Sequence, residues 1–257
     1  MLLFLFSVLT SAAPVLTHNL SSTGHLLERH QCVAGFQALA CGFSERWSVG
    51  VSPWLLADYD MLALSSRTRL KKYPDGGSLT LQLIYFKTYH ASNFTYATPY
   101  QMEALWMMWV RALPLAPNYT LHLNLHTNYY LDDSMPFSLR RPIPNRNQGQ
   151  LNLSMLHEIK IINHWQFLFE AGFLDLAQPY DAPYLHMGAS MGRATKNWEW
   201  HVGYSVTGAL GAFRSAERRD YQQTLRYGDE GYNQDLSDYS AARDFAIHPE
   251  FSLGYFF

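Results

Sequence analysis

The 257-residue chain has only two cysteines, no excess of either charge, and no long apolar run after its first residues. A helical span needs roughly 20 consecutive apolar residues, so a helical membrane protein is excluded downstream of the N-terminus. The formal net charge of −2 and a pI near 6.6 leave no basic footprint, and nucleic acid is not expected as a partner. Cys32 and Cys41 stand nine residues apart in one apparent strand, 30–42. That odd separation puts them on opposite faces and, at roughly 3.3 Å per residue, about 30 Å apart. They are therefore read as small apolar residues that do not bridge within that strand. What the chain does have is aromatic residues, 15% of the total with 17 Tyr and 15 Phe, at a mean hydropathy of only −0.17.

Alternation reconciles the two. Residues 118–130 read Asn-Tyr-Thr-Leu-His-Leu-Asn-Leu-His-Thr-Asn-Tyr-Tyr. One parity carries Tyr119, Leu121, Leu123, Leu125, Thr127 and Tyr129; the other carries Asn118, Thr120, His122, Asn124, His126 and Asn128. Successive side chains of a strand point to opposite sides, so the spacing predicts a strand with one apolar and one polar face. Tyr119 and Tyr129 are ten residues apart. On a strand tilted by about 40° that is about 25 Å, the height of the apolar band of a membrane barrel between its aromatic girdles.

The same pattern recurs in 78–87, 164–174 and 197–208, with aromatics on one face and glycine, hydroxyl or charge on the other. Weaker runs occupy 30–42, 46–53, 60–72, 101–112, 151–161, 183–194 and 246–257, about eleven segments in all. Single-chain bacterial barrels have even strand numbers, and the missing strand is expected before residue 28. Short connections, such as Pro74-Asp75-Gly76-Gly77, alternate with long ones at roughly 90–100, 131–149 and 209–245. The expected fold is all-β, an antiparallel up-and-down transmembrane barrel of about 12 strands, within the even counts of roughly 10–12.

The first residues, MLLFLFSVLTSAAPVL, resemble a secretory h-region cleaved after Ala12 or Ala13, though no Lys or Arg precedes Arg29. The expected organisation is a signal peptide over 1–13, an N-terminal extension or first strand over 14–29, and a barrel over 30–257.

The chain ends Ser252-Leu253-Gly254-Tyr255-Phe256-Phe257. This ending resembles the C-terminal signal of Gram-negative outer-membrane barrels: a glycine, an aromatic, any residue, and a terminal aromatic. Gly254, Tyr255 and Phe257 occupy those positions. The resemblance implies an outer-membrane location, outer-membrane lipid around the wall, and recognition by the barrel-assembly machinery. Residues Gly42 to Gly50 also resemble the tight turn and strand of uncharacterised Gram-negative barrel families loosely labelled transporters, which implies no substrate.

Parity assigns Glu103, Arg111, His122, His126, Glu158, Lys160, Glu170, His186, Glu199, His201, His248 and Glu250 to the lumen. The residues expected to contact solute are His122, Asn124, His126, Glu170, Glu199 and His201. The expectation is a small porin-like channel or transporter for small polar solutes. The runner-up is a structural or surface-recognition barrel with an occluded lumen, binding through loops 131–149 and 209–245. His122 and His126 are about 13 Å apart along a strand, too far to share one metal ion; no metal and no cofactor is expected. Outer-membrane phospholipases and lipid A deacylases carry a His-x-Ser pair. Here the single such pair is His90-Ala91-Ser92, with no acidic or amide orienter at recognisable spacing. A lipid hydrolase is the third reading, and no catalytic residue is assigned.

Overall fold

The protein is described from a computed structural model. It describes residues 17–18, 21–35, 38–53, 56, 61–88, 102–133, 150–161, 164–174, 176, 184–209 and 246–257. The segment 1–13 lies outside these residues, as do His90 and Ser92 and nearly all of the loops 131–149 and 209–245. No helix among the described residues is long and apolar enough to cross a membrane.

Two short strands, β1 (Thr17–His18) and β2 (Ser21–Ser22), pair only with each other. Three short wall strands follow: β3 (Cys32–Gly35), β4 (Leu39–Ser44) and β5 (Trp47–Val51). Nine longer ones complete the wall: β6 (Met61–Lys72), β7 (Ser78–Thr88), β8 (Met102–Ala116), β9 (Tyr119–Asp133), β10 (Gln150–Lys160), β11 (Trp165–Leu174), β12 (Tyr184–Ala194), β13 (Trp198–Ala209) and β14 (Ala246–Phe256). Strands β3 to β14 pair antiparallel in chain order, and β14 returns to β3, closing a barrel of twelve strands. This is the up-and-down architecture that the alternation predicts.

The twelfth strand does not come from upstream of residue 28. The apparent strand 30–42 is a hairpin, β3 and β4, in which Cys32 registers opposite Cys41. The two cysteines form a disulfide with their Cα atoms 4.1 Å apart, so the reading of them as unbridged apolar residues is overturned. An odd separation opposes two side chains along one strand but allows them to meet across a folded pair. The turn between these strands, closed by a backbone bond from the Gly35 amide to the Ala38 carbonyl, is marked in sequence by that single glycine and by no Pro, Asn or Asp.

The outer face is apolar. Leu64, Leu125, Tyr129, Met191, Trp198, Val202, Tyr204 and Phe251 are all exposed. Aromatic rings gather at the end of the wall that carries the short turns: Phe43 on Trp47, Trp165 on Trp200, and Trp198 on Tyr255, which stacks on Phe257. Glu103 and Arg111 belong to this outer surface, not to the lumen. They register with Lys87 and Leu79, while Ala104 and Val110 are the completely buried residues of β8. Because β8 is apolar on both faces, alternation alone could not orient it. Near the ends of the strand the two charges find exposed partners: Glu103 pairs with Lys87 at 3.8 Å, and Arg111 pairs with Asp75 at 3.4 Å and lies over the Tyr73 ring.

Candidate functional site

Inside the wall the polar parity of each strand converges. His122, Asn124 and His126 of β9, Glu158 of β10, Glu170 of β11, His186 of β12, and Glu199 and His201 of β13 are all buried. All six residues expected to contact solute thus face the lumen, and all are buried. A polar lining shut away from water needs hydrogen-bond partners, because an unpaired buried polar group costs about 1–3 kcal/mol. Here many of those partners come from the chain itself.

Residues 21–27 run through the barrel instead of joining its wall. The Ser21 amide donates to Glu170 Oε2 at 3.2 Å, and its hydroxyl bonds with that of Ser154 at 2.7 Å. The Ser22 amide donates to Asn124 Oδ1 at 2.9 Å, and the Ser22 hydroxyl donates to Gln82 Oε1 at 2.8 Å. Arg67 reaches the same point from β6: Nη2 donates to Ser22 Oγ and Gln82 Oε1, and Nη1 donates to the His25 carbonyl at 3.0 Å. The Gly24 carbonyl accepts from Ser78 and Thr80 at 3.2 and 3.3 Å. A Cβ at Gly24 would stand 2.6 Å from that of Ala112, so the segment lies flush against β8 only because this residue has no side chain. Strands β6, β7, β9, β10 and β11 all contribute hydrogen bonds to it.

Glu158 is the electrostatic centre of this contact. Its Oε2 stands 2.7 Å from His25 Nε2 and 3.0 Å from His122 Nε2. The Gly24 amide donates to His122 Nδ1 at 3.0 Å, which leaves the ring proton of a neutral His122 on Nε2, where it donates to the carboxylate. One ring therefore carries the plug backbone on one nitrogen and the wall carboxylate on the other. Lys160 Nζ lies 3.8 Å from the second carboxylate oxygen.

Two further pairs line the wall: His186 Nε2 with the other oxygen of Glu170 at 2.9 Å, and His201 Nε2 with Glu199 at 3.0 Å. Ser154 Oγ lies 3.5 Å from His126 Nε2. At its lower end the segment changes character. Leu27 packs with Val33 and Phe256, with Ala40 against them, where β14 meets β3.

Of the site residues, sequence reasoning missed Ser21, Ser22, His25, Arg67 and Gln82. The run Ser21-Ser22-Thr23-Gly24 has small polar side chains and no alternation, which marks it as unfit for the wall but gives no destination. Arg67 shares the inner parity of β6 with Ala63 and Ser65, and its charge was the one available signal.

No family model matches the chain, and no curated protein matches it. Among solved structures it is similar to BamA from Haemophilus ducreyi, in a form lacking POTRA domains 1–3, at 14% identity and a TM-score of 0.42. The match covers 70% of this chain and 41% of that one.

Proposed function

We propose that the chain is an outer-membrane barrel, a small porin-like conduit for small polar solutes that its own residues 21–27 hold shut. Conduction in this reading requires the segment to leave the lumen or shift within it. The observation that carries the proposal is the set of hydrogen bonds between Ser21, Ser22, Gly24 and His25 and side chains on five wall strands. A lining of His122, Asn124, His126, Glu170, Glu199 and His201 would offer solutes both donors and acceptors once the segment moved. The exposed apolar outer face and its aromatic rim support a membrane setting with lipid around the wall. The ending at Gly254, Tyr255 and Phe257 supports insertion by the barrel-assembly machinery. The reading assigns no catalysis.

Occlusion of the lumen favours a second reading, a structural or surface-recognition barrel that works through the loops 131–149 and 209–245. Planar-bilayer recordings of the refolded full chain and of a variant lacking residues 17–25 separate the two. The gated conduit predicts silence from the full chain and discrete currents from the variant. A folded variant that stays silent sinks the conduit and favours the recognition barrel; steady currents from the full chain sink the gate.

A further inference from the structure

We propose that His25, His122 and Glu158 form a binding site for a divalent transition-metal ion of the zinc class, latching the inner segment to the wall. This rests on the reading of residues 21–27 as a plug. Strands β9 and β10 are adjacent, and their register sets His122 opposite Leu156 and Glu158 opposite Thr120. The two side chains thus stand on one inner surface, one diagonal step apart. The inner segment then delivers His25 from the opposite side. One ligand atom from each of the three residues lies within 4.8 Å of the other two.

Two imidazole nitrogens and a carboxylate oxygen are a donor set suited to zinc, which binds nitrogen at about 2.0–2.1 Å and oxygen at about 2.0–2.2 Å. In tetrahedral geometry such bond lengths separate neighbouring ligand atoms by roughly 3.3–3.5 Å. Here Glu158 Oε2 is 2.7 and 3.0 Å from the two Nε2 atoms, so an ion entering between them pushes the ligands slightly apart. His25 can yield, because it sits on the segment and not on a strand, and 29% of its side-chain surface is exposed. That exposure also gives the ion a way in. Lys160, the cation beside the other carboxylate oxygen, is 49% exposed and free to swing outward. Arg67 is committed to the His25 carbonyl and to Ser22 and Gln82.

Coordination displaces the proton that His122 Nε2 donates to Glu158. The neutral ring then carries its proton on Nδ1, facing the Gly24 amide, and these two donors cannot share one bond. Metal binding therefore exchanges the Gly24 to His122 hydrogen bond for metal–ligand bonds through His25. The latch tightens at one residue while the backbone beside it is released.

The test is isothermal titration of the metal-free, refolded full chain with Zn²⁺, repeated with Co²⁺ so that visible absorption reports the ligand geometry. The expected result is one ion per chain with a tetrahedral Co²⁺ spectrum, both lost in His25→Ala and Glu158→Gln. The His164→Asn variant, at the short turn before β11, retains them. Heat-modifiable mobility on gels shows whether each variant remains a folded barrel, and His25→Ala leaves the wall itself unaltered. Absence of binding by the parent chain, or undiminished binding by folded His25→Ala, overturns the latch. Calorimetry judges the metal site and bilayer currents judge the plug, so failure of the latch is told apart from failure of the plug on which it rests.

Discussion

The wall of this barrel is built in two different ways. Strands β6 to β14 run for 10 to 15 residues, whereas β3, β4 and β5 run for only 4, 6 and 5. At roughly 3.3 Å per residue a five-residue strand is about 17 Å long, less than the roughly 30 Å thickness of a bilayer's hydrocarbon core. The long arc is held by its ladders of backbone hydrogen bonds. The short seam has few: β3 registers with β14 over three residues and with β4 over three. What it has instead is a disulfide, the packing of Leu27 into Val33 and Phe256, and the reciprocal backbone bonds between Cys32 and Phe257. The contrast teaches that closure here relies on local staples where strand length cannot supply it.

The comparison can be broken at several points. The largest effect is expected from Leu27→Ala, which empties the apolar contact at the seam; burial at 1% exposure predicts a loss of about 3–5 kcal/mol. Urea unfolding of the refolded protein in lipid checks it, and a loss no greater than that of a surface substitution removes Leu27 from the seam. Next comes the long arc. Val202, in the middle of β13, is 53% exposed on the outer face, and Val202→Arg is expected to cost about 2–4 kcal/mol if lipid covers it. The same substitution at Phe43, beside the β4 to β5 turn, is expected to cost about 0–1 kcal/mol because it lies near the interface. Equal costs at the two positions would contradict the membrane depth assigned to them. A somewhat smaller effect than that at Val202 is expected from the joint change Cys32→Ser and Cys41→Ser. Releasing this short loop should lower stability by about 2–3 kcal/mol. Comparing unfolding midpoints of the oxidised parent and the double variant measures it, and coincident midpoints would show that the hairpin needs no staple.

The long arc was legible in the sequence because most of its strands, unlike β8, set polar side chains on one parity and apolar ones on the other. Alternation located nearly all of them and oriented His122, Glu170 and Glu199 inward. The seam was not legible, because β3 and β4 are too short to establish a period and a lone Gly35 is all that marks their turn. β8 was misoriented because Ala104, Val110 and Ala112 make its inner face as apolar as the outer one. The segment through the lumen was invisible for a deeper reason. Its conformation is set by partners on five different strands, and a sequence window contains none of them. Thus the inward side chains were identified without their occupant: Glu170, Asn124 and His122 accept hydrogen bonds from Ser21, Ser22 and Gly24.

The junction of β3 with β14 also bears on how the molecule is made. The first wall strand can acquire its second neighbour only after the last has been synthesised, so the ring is sealed by the contact of greatest sequence separation. Such contacts form slowly. Residues 21–27 lead directly into β3, and Leu27 packs on Phe256, the last residue of β14. The Leu27 end of the inner segment therefore finds its apolar seat only with the contact that seals the ring, whereas its Ser21 to His25 partners lie on strands made before β14.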